Sequence, residues 1–310
     1  MIVFLARRLV FMLLTMLAVS IILFAMLEVN VESIAVRVLG AYSTDTQREI
    51  WLEANGYLRP IYVRYIEWLG NFLVGDFGES TRFNTRVADI LWPRLGNTGL
   101  LALFTFGIMI PISLTLGVFA GMREGSRTDR SITFLSVITT SVPEFASAVL
   151  LSFIFVFWLG ILPGTSGFTD GFSLREMILP VMVLIIYDFG YVARMTRASM
   201  AEVMQSPYIR TAVLKGLPYR RVVMRHALRN ALIAPFTVII LQINWLLSGV
   251  IVVEYFFAYK GFGALLLEAA LNNDIDLIQA CAMIAVIVAV GTQTIADIGY
   301  TYLNPRIRFT

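Results

Sequence analysis

The chain has very little of what builds metal centres and nucleophilic active sites. Its 310 residues contain one cysteine and one histidine. A single cysteine, Cys281, excludes an internal disulfide framework and a zinc site made of cysteines, and its apolar surroundings predict a small residue packed within a span. A lone histidine, His226, is more typical of a surface or docking residue than of a metal ligand. We therefore predict that this chain itself binds no metal ion and no cofactor.

Lysine is also scarce, and its two occurrences exclude one kind of nucleotide site. Lys215 and Lys260 are both followed by glycine, whereas the phosphate-binding loop G-x-x-x-x-G-K-[ST] needs serine or threonine after its lysine. Energy for any active process must therefore come from another chain or from a gradient. The formal net charge of +3 is small, so the composition gives no support for nucleic-acid binding.

Apolar side chains are what the chain has in abundance. Hydrophobic residues make up 58% of it, against about 45–50% in soluble domains. A bilayer core about 30 Å thick needs roughly 20 apolar residues per helix. The pattern therefore predicts an all-α polytopic membrane protein with six transmembrane helices, the third of them kinked or divided at Pro143 because proline lacks the backbone donor. The six runs are 9–27, 97–121, 132–162, 177–193, 230–253 and 277–299.

Basic residues are concentrated in four short segments between and beyond these runs. Segments 1–8, 122–131, 194–229 and 303–310 hold 15 of the 24 lysines and arginines. Cytoplasmic loops of membrane proteins carry such an excess, so both termini are predicted to be cytoplasmic. The first run is predicted to be a retained anchor, since its nineteen residues exceed a signal-peptide core and no small-residue cleavage site follows.

The connection 28–96 is then external, and its patterning predicts short helices at the membrane surface. Ser43 or Thr44 can cap the first helix, and Gly56 stops it. A second helix is predicted to start near Pro60, with one apolar face that favours an interfacial anchor over a ligand site. That face comprises Ile61, Tyr65, Trp68, Leu69 and Phe72.

Two domains follow from this reading. Residues 1–96 are predicted to be the anchor helix plus the external helical segment, and residues 97–310 a five-helix core that carries the basic loop 194–229. The loop is the most cationic part of the chain, with eight of its basic residues.

The stretch "SPYIRTAVLKGLPYRRVVMRHALRNALIAP" within this loop predicts a helix, a corner and another helix. Ser206 can cap the first helix, Pro207 suits its first position, and Gly216 suits a left-handed C-cap. A second helix is predicted to start at Pro218 and to continue into the fifth span.

Two interpretations of this loop stay open from the residues alone. Small Thr211 and Ala212 would allow close approach by another protein, while Tyr208, Arg210 and Lys215 supply an anchor and charge. Such a helix suits a groove on a soluble partner. Alternatively, the arginines only set topology or rest on anionic lipid.

The loop also resembles a known family. The segment "YIRTAVLKGLPYRRVVMRHALRNALIAP" is similar to the signature of permease subunits of ABC importers, in the dipeptide, oligopeptide and nickel branch, which runs approximately Y-[VI]-R-T-A-x-x-K-G-L and then R-H-A-x-R-N-[AS]-L-x-P. Four other segments resemble the family in the same order. They are "GYLRPIYVRYIEWLGNFLVGDFGES", "TTSVPEFASAVLLSFIFVFWLGILPGTSG", "SGVIVVEYFFAYKGFGALLLEAALNNDIDLIQA" and "ADIGYTYLNPRIRF".

The chain departs from the family's pattern at three places. Lys260 begins K-G-F-G where the family usually has P-G-[LI]-G, and Asn304 replaces an aspartate. Gly96 and Asn97 stand where a proline is common.

The resemblance implies a type I ABC importer permease fold and a multi-pass protein of the inner, cytoplasmic membrane. It implies that the loop is a coupling helix seated in a cleft of a cytoplasmic ATPase. It further implies four kinds of partner: a second related permease subunit, two cytoplasmic ATPase domains that bind ATP and Mg, an external solute-binding protein and the lipid bilayer. The chain would then form half of a translocation pathway for peptides or a related small solute. The motif carries the docking role onto Tyr208, Arg210, Thr211, Ala212, Lys215 and Gly216.

Acidic residues inside or near the spans leave room for other functions. Glu144, Asp188 and Asp297 fall there, where an ionised group is costly and faces protein or water. A membrane-embedded aspartyl enzyme using Asp188 with Asp297 and a stand-alone ion-coupled carrier are therefore alternatives. We favour a purely structural interpretation, in which Asp188 is a buried, hydrogen-bonded acid.

Overall fold

The computed structural model describes residues 2–28, 31–40, 42–167 and 171–303. Two compact units are distinguished by their internal contacts. The first holds the described residues up to Leu95 together with Leu265–Gly291, and the second holds Gly96–Ala264 with the described residues from Thr292. The division into domains 1–96 and 97–310, which the sequence analysis gave, stays a prediction.

Helices make up nearly all the regular structure of the described residues. In chain order they and the two strands are α1 (Ile2–Glu28), α2 (Val31–Leu39), α3 (Asp45–Ala54), α4 (Ile61–Leu73), β1 (Glu79–Ser80), β2 (Thr85–Arg86), α5 (Val87–Met122), α6 (Arg127–Ser141), α7 (Glu144–Ser152), a π-helical segment (Phe153–Trp158), α8 (Leu174–Met204), α9 (Pro207–Leu214), α10 (Tyr219–Arg221), a second π-helical segment (Val222–Ala227), α11 (Leu228–Ala231), α12 (Ile233–Phe256), α13 (Phe262–Asn272) and α14 (Ile275–Leu303).

The small hairpin β1–β2 interrupts the mostly helical structure of the described residues, and the sequence analysis did not indicate it. Glu79 lies opposite Arg86 in an antiparallel pair, and Asn84 takes a left-handed φ of 53° in the turn. Within the same unit, the hydroxyl of Ser80 donates to the carboxylate of Asp274 at 2.5 Å. The hairpin is therefore held by a contact almost two hundred residues away along the chain, which no local pattern can indicate.

The apolar runs appear as helices long enough to cross a bilayer. Four are continuous: Ala6–Glu28, Val87–Met122, Leu174–Met204 and Ile275–Ile295. Two more arise if each bent pair is one span, Arg127–Ser141 with Glu144–Trp158 and Tyr219–Ala231 with Ile233–Ile243. Each of the six predicted runs overlaps one of these, so the described residues contain four to six candidate spans.

The division of the third run at Pro143 is confirmed. Pro143 occupies the N-cap of α7, and the axes on either side of it bend by 98°. Because a proline cannot donate its backbone nitrogen, α6 ends at Ser141 and a new helix starts at Glu144. The fifth run is also broken, by 46° between α11 and α12.

The short helices predicted within the connection 28–96 are present in the first unit. Thr44 caps α3 in a capping box with Gln47, and Gly56 follows the helix with a φ of 71°. Helix α4 begins after Pro60, as the sequence indicates. Its aromatic face packs on the C-terminal end of α1, where the Phe24 ring lies 5.5 Å from the Tyr65 ring and 5.4 Å from the Trp68 ring, centre to centre.

An ion pair that the sequence did not reveal lies beside this aromatic cluster. Arg64 donates to the Glu28 carboxylate at 2.6 Å, and both side chains are buried. Gln279 donates to the same carboxylate at 3.1 Å. Burial and the nearby Glu28 charge raise the pKa of Tyr57, which stacks under the Arg64 guanidinium and stays protonated. Breaking such a buried pair leaves an uncompensated charge, so it fixes α4 against α1.

In the second unit, α5 approaches α8 closely because glycines lie at the contact. A Cβ atom on Gly121 would come within 2.6 Å of the Arg197 carbonyl oxygen, and one on Gly117 within 2.6 Å of that of Ala193. Small residues at such spacing let membrane helices pack backbone to backbone. By contrast, Gly107 of α5 has open space around it.

We expect Gly121→Ala to lower the melting temperature of the detergent-solubilised chain and Gly107→Ala to leave it unchanged or raise it slightly. Both changes improve helix propensity by about 0.5–1 kcal/mol. Only the methyl group at position 121 meets backbone, and such overpacking costs typically 1–3 kcal/mol. Equal melting temperatures for the two variants would contradict the close α5–α8 contact.

Candidate functional site

Helix α9 forms a two-turn projection at the basic end of α8. It begins with Pro207 at its first position and ends at Leu214, with Lys215 as C-cap. Gly216 has a φ of 75°, which confirms the predicted left-handed cap. Its backbone N–H donates to Val213 at 2.9 Å and that of Leu217 to Ala212 at 3.4 Å, the pair of bonds of a Schellman motif.

The predicted side-chain cap at Ser206 is not formed. The residue takes the extended backbone of an N-cap, but its hydroxyl donates to the Val203 carbonyl at 2.6 Å instead of accepting from α9. That hydrogen bond satisfies a carbonyl group in the last turn of α8, so the hydroxyl caps the end of α8 rather than the start of α9.

The inner face of α9 is fixed to an apolar base. Ile209 and Ala212 are 2% and 8% exposed and belong to one buried cluster. Its other buried members are Met200, Val222, Val223, Ala227 and Ala231. Ala212, which the sequence analysis offered as a site of close approach for a partner, therefore faces its own chain. A larger residue there would disturb this base before it touched any partner.

The outer face carries the remaining predicted docking residues. Arg210, Thr211 and Lys215 are exposed, and the Tyr208 hydroxyl accepts a hydrogen bond from Asn230 at 2.9 Å. The bond to Asn230 fastens α9 to the helix that follows the corner. Lys215 and Arg210 keep their charges at the surface.

Two apolar residues at the tip were missed by the sequence analysis. Val213 and Leu214 are 50% and 80% exposed. An exposed valine and leucine beside each other on a cationic loop are what a protein-docking surface provides. Leu214 lies on the side of the helix away from Ile209 and Ala212, and that position was the available signal. Val213 follows Ile209 by four residues, and because residues three and four apart share a face, its exposure could not be predicted from spacing.

A bidentate ion pair holds the basic end of α8 to the start of α6. Arg197 donates from Nε to Asp129 at 2.9 Å and from Nη2 at 2.8 Å. The Asp129 side chain is only 5% exposed and also accepts from the Gly125 backbone. Planar double contacts of this kind fix orientation as well as distance. The base from which α9 projects is therefore clamped to the neighbouring helix.

A second clamp lies at the other end of the second unit, around Glu254. Its buried carboxylate accepts from the Thr98 hydroxyl at 2.5 Å and from the Ala264 backbone at 2.8 Å. A Cβ atom on Gly261 would overlap this carboxylate, so only glycine fits there. Glu254 thus explains why glycine follows Lys260 in the loop.

Two of the sequence's departures from the family motifs meet beside this clamp. The Asn97 amide donates to the Lys260 carbonyl at 2.8 Å, and the Tyr259 hydroxyl donates to the Asn97 carbonyl at 2.6 Å. Burial, with the Glu254 charge as a smaller cause, raises the pKa of Tyr259 and keeps that hydroxyl a donor. Asn97, where the family commonly has proline, therefore supplies a side-chain hydrogen bond to the loop in which Lys260 replaces the family's usual proline.

The membrane acids show no catalytic arrangement among the residues whose side chains are described. Asp188 is fully buried and accepts from Gln242 at 2.7 Å, which agrees with a structural acid. Glu144 is 9% exposed, and one oxygen of each carboxylate lacks a described partner. Asp297 lies outside the described side chains, so the predicted pairing with Asp188 is untested.

No group of three potential metal ligands occurs within the described part of the chain. His226 is half-buried beside the basic helices, and Cys281 is fully buried.

These features define a class of protein. Several apolar helices, a broken third span and a basic projection with an apolar tip describe a polytopic membrane protein.

Comparison with known proteins gives the family. The pattern of the "Binding-protein-dependent transport system inner membrane component" family matches residues 113–309. The chain belongs to this family, whose members are permease subunits of ABC transporters and not themselves enzymes.

Named relatives cover most of the chain. The oligopeptide transport system permease protein AppB of Bacillus subtilis (strain 168) is 36% identical over 86% of each chain. The dipeptide transport system permease protein DppB of Alkalihalophilus pseudofirmus is 30% identical over 98% of each. OppB of Haemophilus influenzae, an oligopeptide transport permease, is 33% identical over 83% of this chain and 84% of its own length.

We expect Asp129→Asn to destabilise the chain. The amide retains the volume but loses the charge-assisted bonds to Arg197, worth roughly 1.5–3 kcal/mol. Thermal unfolding in detergent, followed by circular dichroism, measures the loss. The matched control is Asp89→Asn, which breaks an exposed pair with Arg86 and should cost under about 1 kcal/mol. A midpoint for Asp129→Asn that equals the control's would show that the clamp carries no stability.

Proposed function

We propose that this chain is the permease subunit of an ATP-driven importer of peptides in the cytoplasmic membrane. The names of three relatives as oligopeptide or dipeptide permeases support the substrate class. The one feature of the molecule that supports ATP coupling most directly is α9: a short helix whose inner face is buried, whose outer face is cationic and whose tip is apolar.

The proposed assembly pairs the chain with a second related permease, two cytoplasmic ATPase domains and an external solute-binding protein. ATP and Mg would bind to the ATPase domains, because neither lysine of this chain fits a phosphate-binding loop. Exposed aromatic and aliphatic residues on α6, α7 and the first π-helical segment support a second membrane subunit or lipid beside the second unit. They include Phe134, Leu135, Phe145, Leu150 and Phe153.

In this proposal, α9 is the element that binds in the cleft of the ATPase. Closure of the ATPase on ATP would move α9, and the Asp129–Arg197 clamp and the apolar base would carry the movement into α8. An ATPase shifts the balance between inward-facing and outward-facing states only by its difference in affinity for the two. A rigid base favours such coupling because a projection that bent freely would absorb the movement.

The docking proposal is tested at the tip. We expect Val213→Asp and Leu214→Asp to reduce co-purification of the ATPase and ATP-dependent uptake of a radiolabelled oligopeptide by about tenfold or more, because a buried unpaired charge is costly at an apolar contact. The melting temperature should not change, since both side chains are largely exposed.

Leu58→Asp is the matched control, because Leu58 is a 56% exposed leucine of the external segment. It should retain the ATPase. Ala212 is unsuitable for this test, since its substitution disturbs the base of α9. Undiminished ATPase association in both tip variants would overturn the docking role. Uptake that a nickel chelate or an oligosaccharide suppresses better than a peptide would overturn the substrate class alone.

Six spans with both termini in the cytoplasm are proposed from the four continuous helices and two bent pairs. Single cysteines placed in a Cys281→Ser background should react with an impermeant maleimide from one side only. Because Cys281 is the one cysteine of the sequence, this background carries no other thiol. Arg127 and Lys215 positions should react from the cytoplasmic side, and Leu58, Thr165 and Leu271 positions from outside.

Labelling of any one of these positions from the opposite side would reject the six-span topology while leaving the docking proposal to its own test.

A further inference from the structure

A long apolar groove of about 660 Å³ lies on the second unit, between α5 and the helices that follow the corner of the basic loop. One wall is the face of α5 from Pro111 to Met122, whose lining residues recur at three- and four-residue spacing. The other wall runs from Tyr219 to Leu232. Both walls are helical, so the groove offers apolar side chains and few unpaired backbone groups.

The groove runs along the last turns of a candidate span. Helix α5 carries no charged side chain from Leu95 to Met122, and Arg123 follows at once. The basic loop joins the same end, since Tyr219 and Arg220 line the groove too. The apolar part of the groove therefore lies at the depth of the acyl chains, and its cationic end lies at the depth of the headgroups.

Apolar side chains in the groove are uncovered by the described residues of this chain. Phe119 and Met224 are 52% and 60% exposed. Both side chains are large and apolar, and contiguous exposed apolar surface of this kind marks a binding groove or an interaction site. Beneath them, Val223 is 5% exposed and belongs to the same cluster that seats α9.

The cationic end has no acidic counterpart among the described residues. Arg123 and Arg220 are exposed and line the groove. Neither makes an ion pair with a described acid, whereas nearby Arg197 is held by Asp129 and Glu124. Two arginines above an apolar groove, beside a tyrosine at the interface, complement one ligand chemistry: a phosphate ester attached to a hydrocarbon chain.

We propose that the groove binds an anionic phospholipid, with one acyl chain along α5 and the phosphate held by Arg123 and Arg220. A helix of another protein could fill the apolar part, but it would leave both guanidinium groups without an anion unless it brought its own acid. Lipid supplies both parts from the membrane in which the chain resides. Because Val118 and Met122 pack against the cluster beneath α9 as well as lining the groove, the bound lipid supports the base of the docking helix.

The test uses the full-length chain, with the subunits that co-purify with it, in nanodiscs of phosphatidylcholine. A trace of phosphatidylglycerol or of phosphatidylcholine, each with a photoreactive diazirine in the acyl chain, is added and cross-linked. Peptide mass spectrometry then locates the adducts. Phosphatidylglycerol should label 111–122 and 219–232 several-fold more than phosphatidylcholine does, because two basic contacts favour the anionic lipid by about tenfold or more.

Two variants and a control separate the parts of the proposal. Arg123→Gln with Arg220→Gln should remove the preference for phosphatidylglycerol. Thr115→Trp, at an exposed groove position, should block labelling by both lipids while leaving the charge intact. Arg127→Gln with Arg130→Gln removes two exposed arginines that do not line the groove, and it should change nothing.

Melting temperatures of all variants in detergent identify any that fail to fold. Equal labelling by the two lipids, labelling confined to other helices, or a photoreactive residue at position 115 that captures a partner subunit instead of lipid would each overturn the proposal. Its failure would leave the tip variants Val213→Asp and Leu214→Asp to decide the docking function independently.

Discussion

The attachment of α8 is the constraint on which the rest of the second unit depends. This helix is continuous over 31 residues, which corresponds to roughly 45 Å at 1.5 Å per residue. It passes from the apolar interior to the base of α9 without a break, although Pro180 lies inside it. The glycine contacts with α5 fix one side of α8. The two hydrogen bonds from Arg197 to Asp129 fix its basic end. We therefore expect a displacement of α9 to move α8 with it.

Several buried polar groups of this apolar chain form hydrogen bonds that connect one helix to another. Glu254 is fully buried, yet its carboxylate joins the start of the apolar part of α5, the end of α12 and the start of α13 through Thr98 and Ala264. Asp188 accepts from Gln242 and so joins α8 to α12. In hydrocarbon an unsatisfied polar group is expensive, so each such bond restricts the helices it connects to a few arrangements. The same bonds make the glycine at 261 obligatory.

Sequence reasoning succeeded where the signal was local and failed where it depended on distant contacts. Thr44 with Gln47, Pro143 and Gly216 each impose a backbone geometry on their neighbours, so their roles could be predicted from a few adjacent residues. Ala212 could not be placed correctly. A small residue in a basic helix suits either a partner's approach or its own chain's core, and only the position of Val222 and Val223 decides between them. Arg64 was likewise missed, because its partner Glu28 lies 36 residues away.

The inward face of Ala212 changes how the family's loop motif is best understood. A small residue at that position permits α9 to lie close to its base, and the Schellman bonds at Gly216 turn the chain back over the same cluster. The motif residues then divide into two sets by direction. Ala212 and Gly216 shape the projection, whereas Arg210, Thr211 and Lys215 are presented to solvent together with Val213 and Leu214. Substitutions in the first set alter the fold of the loop, and only those in the second set report on what the loop touches. A projection whose form is set by its own chain can present the same surface throughout a transport cycle, and that constancy is what a partner needs if its grip is to move α8.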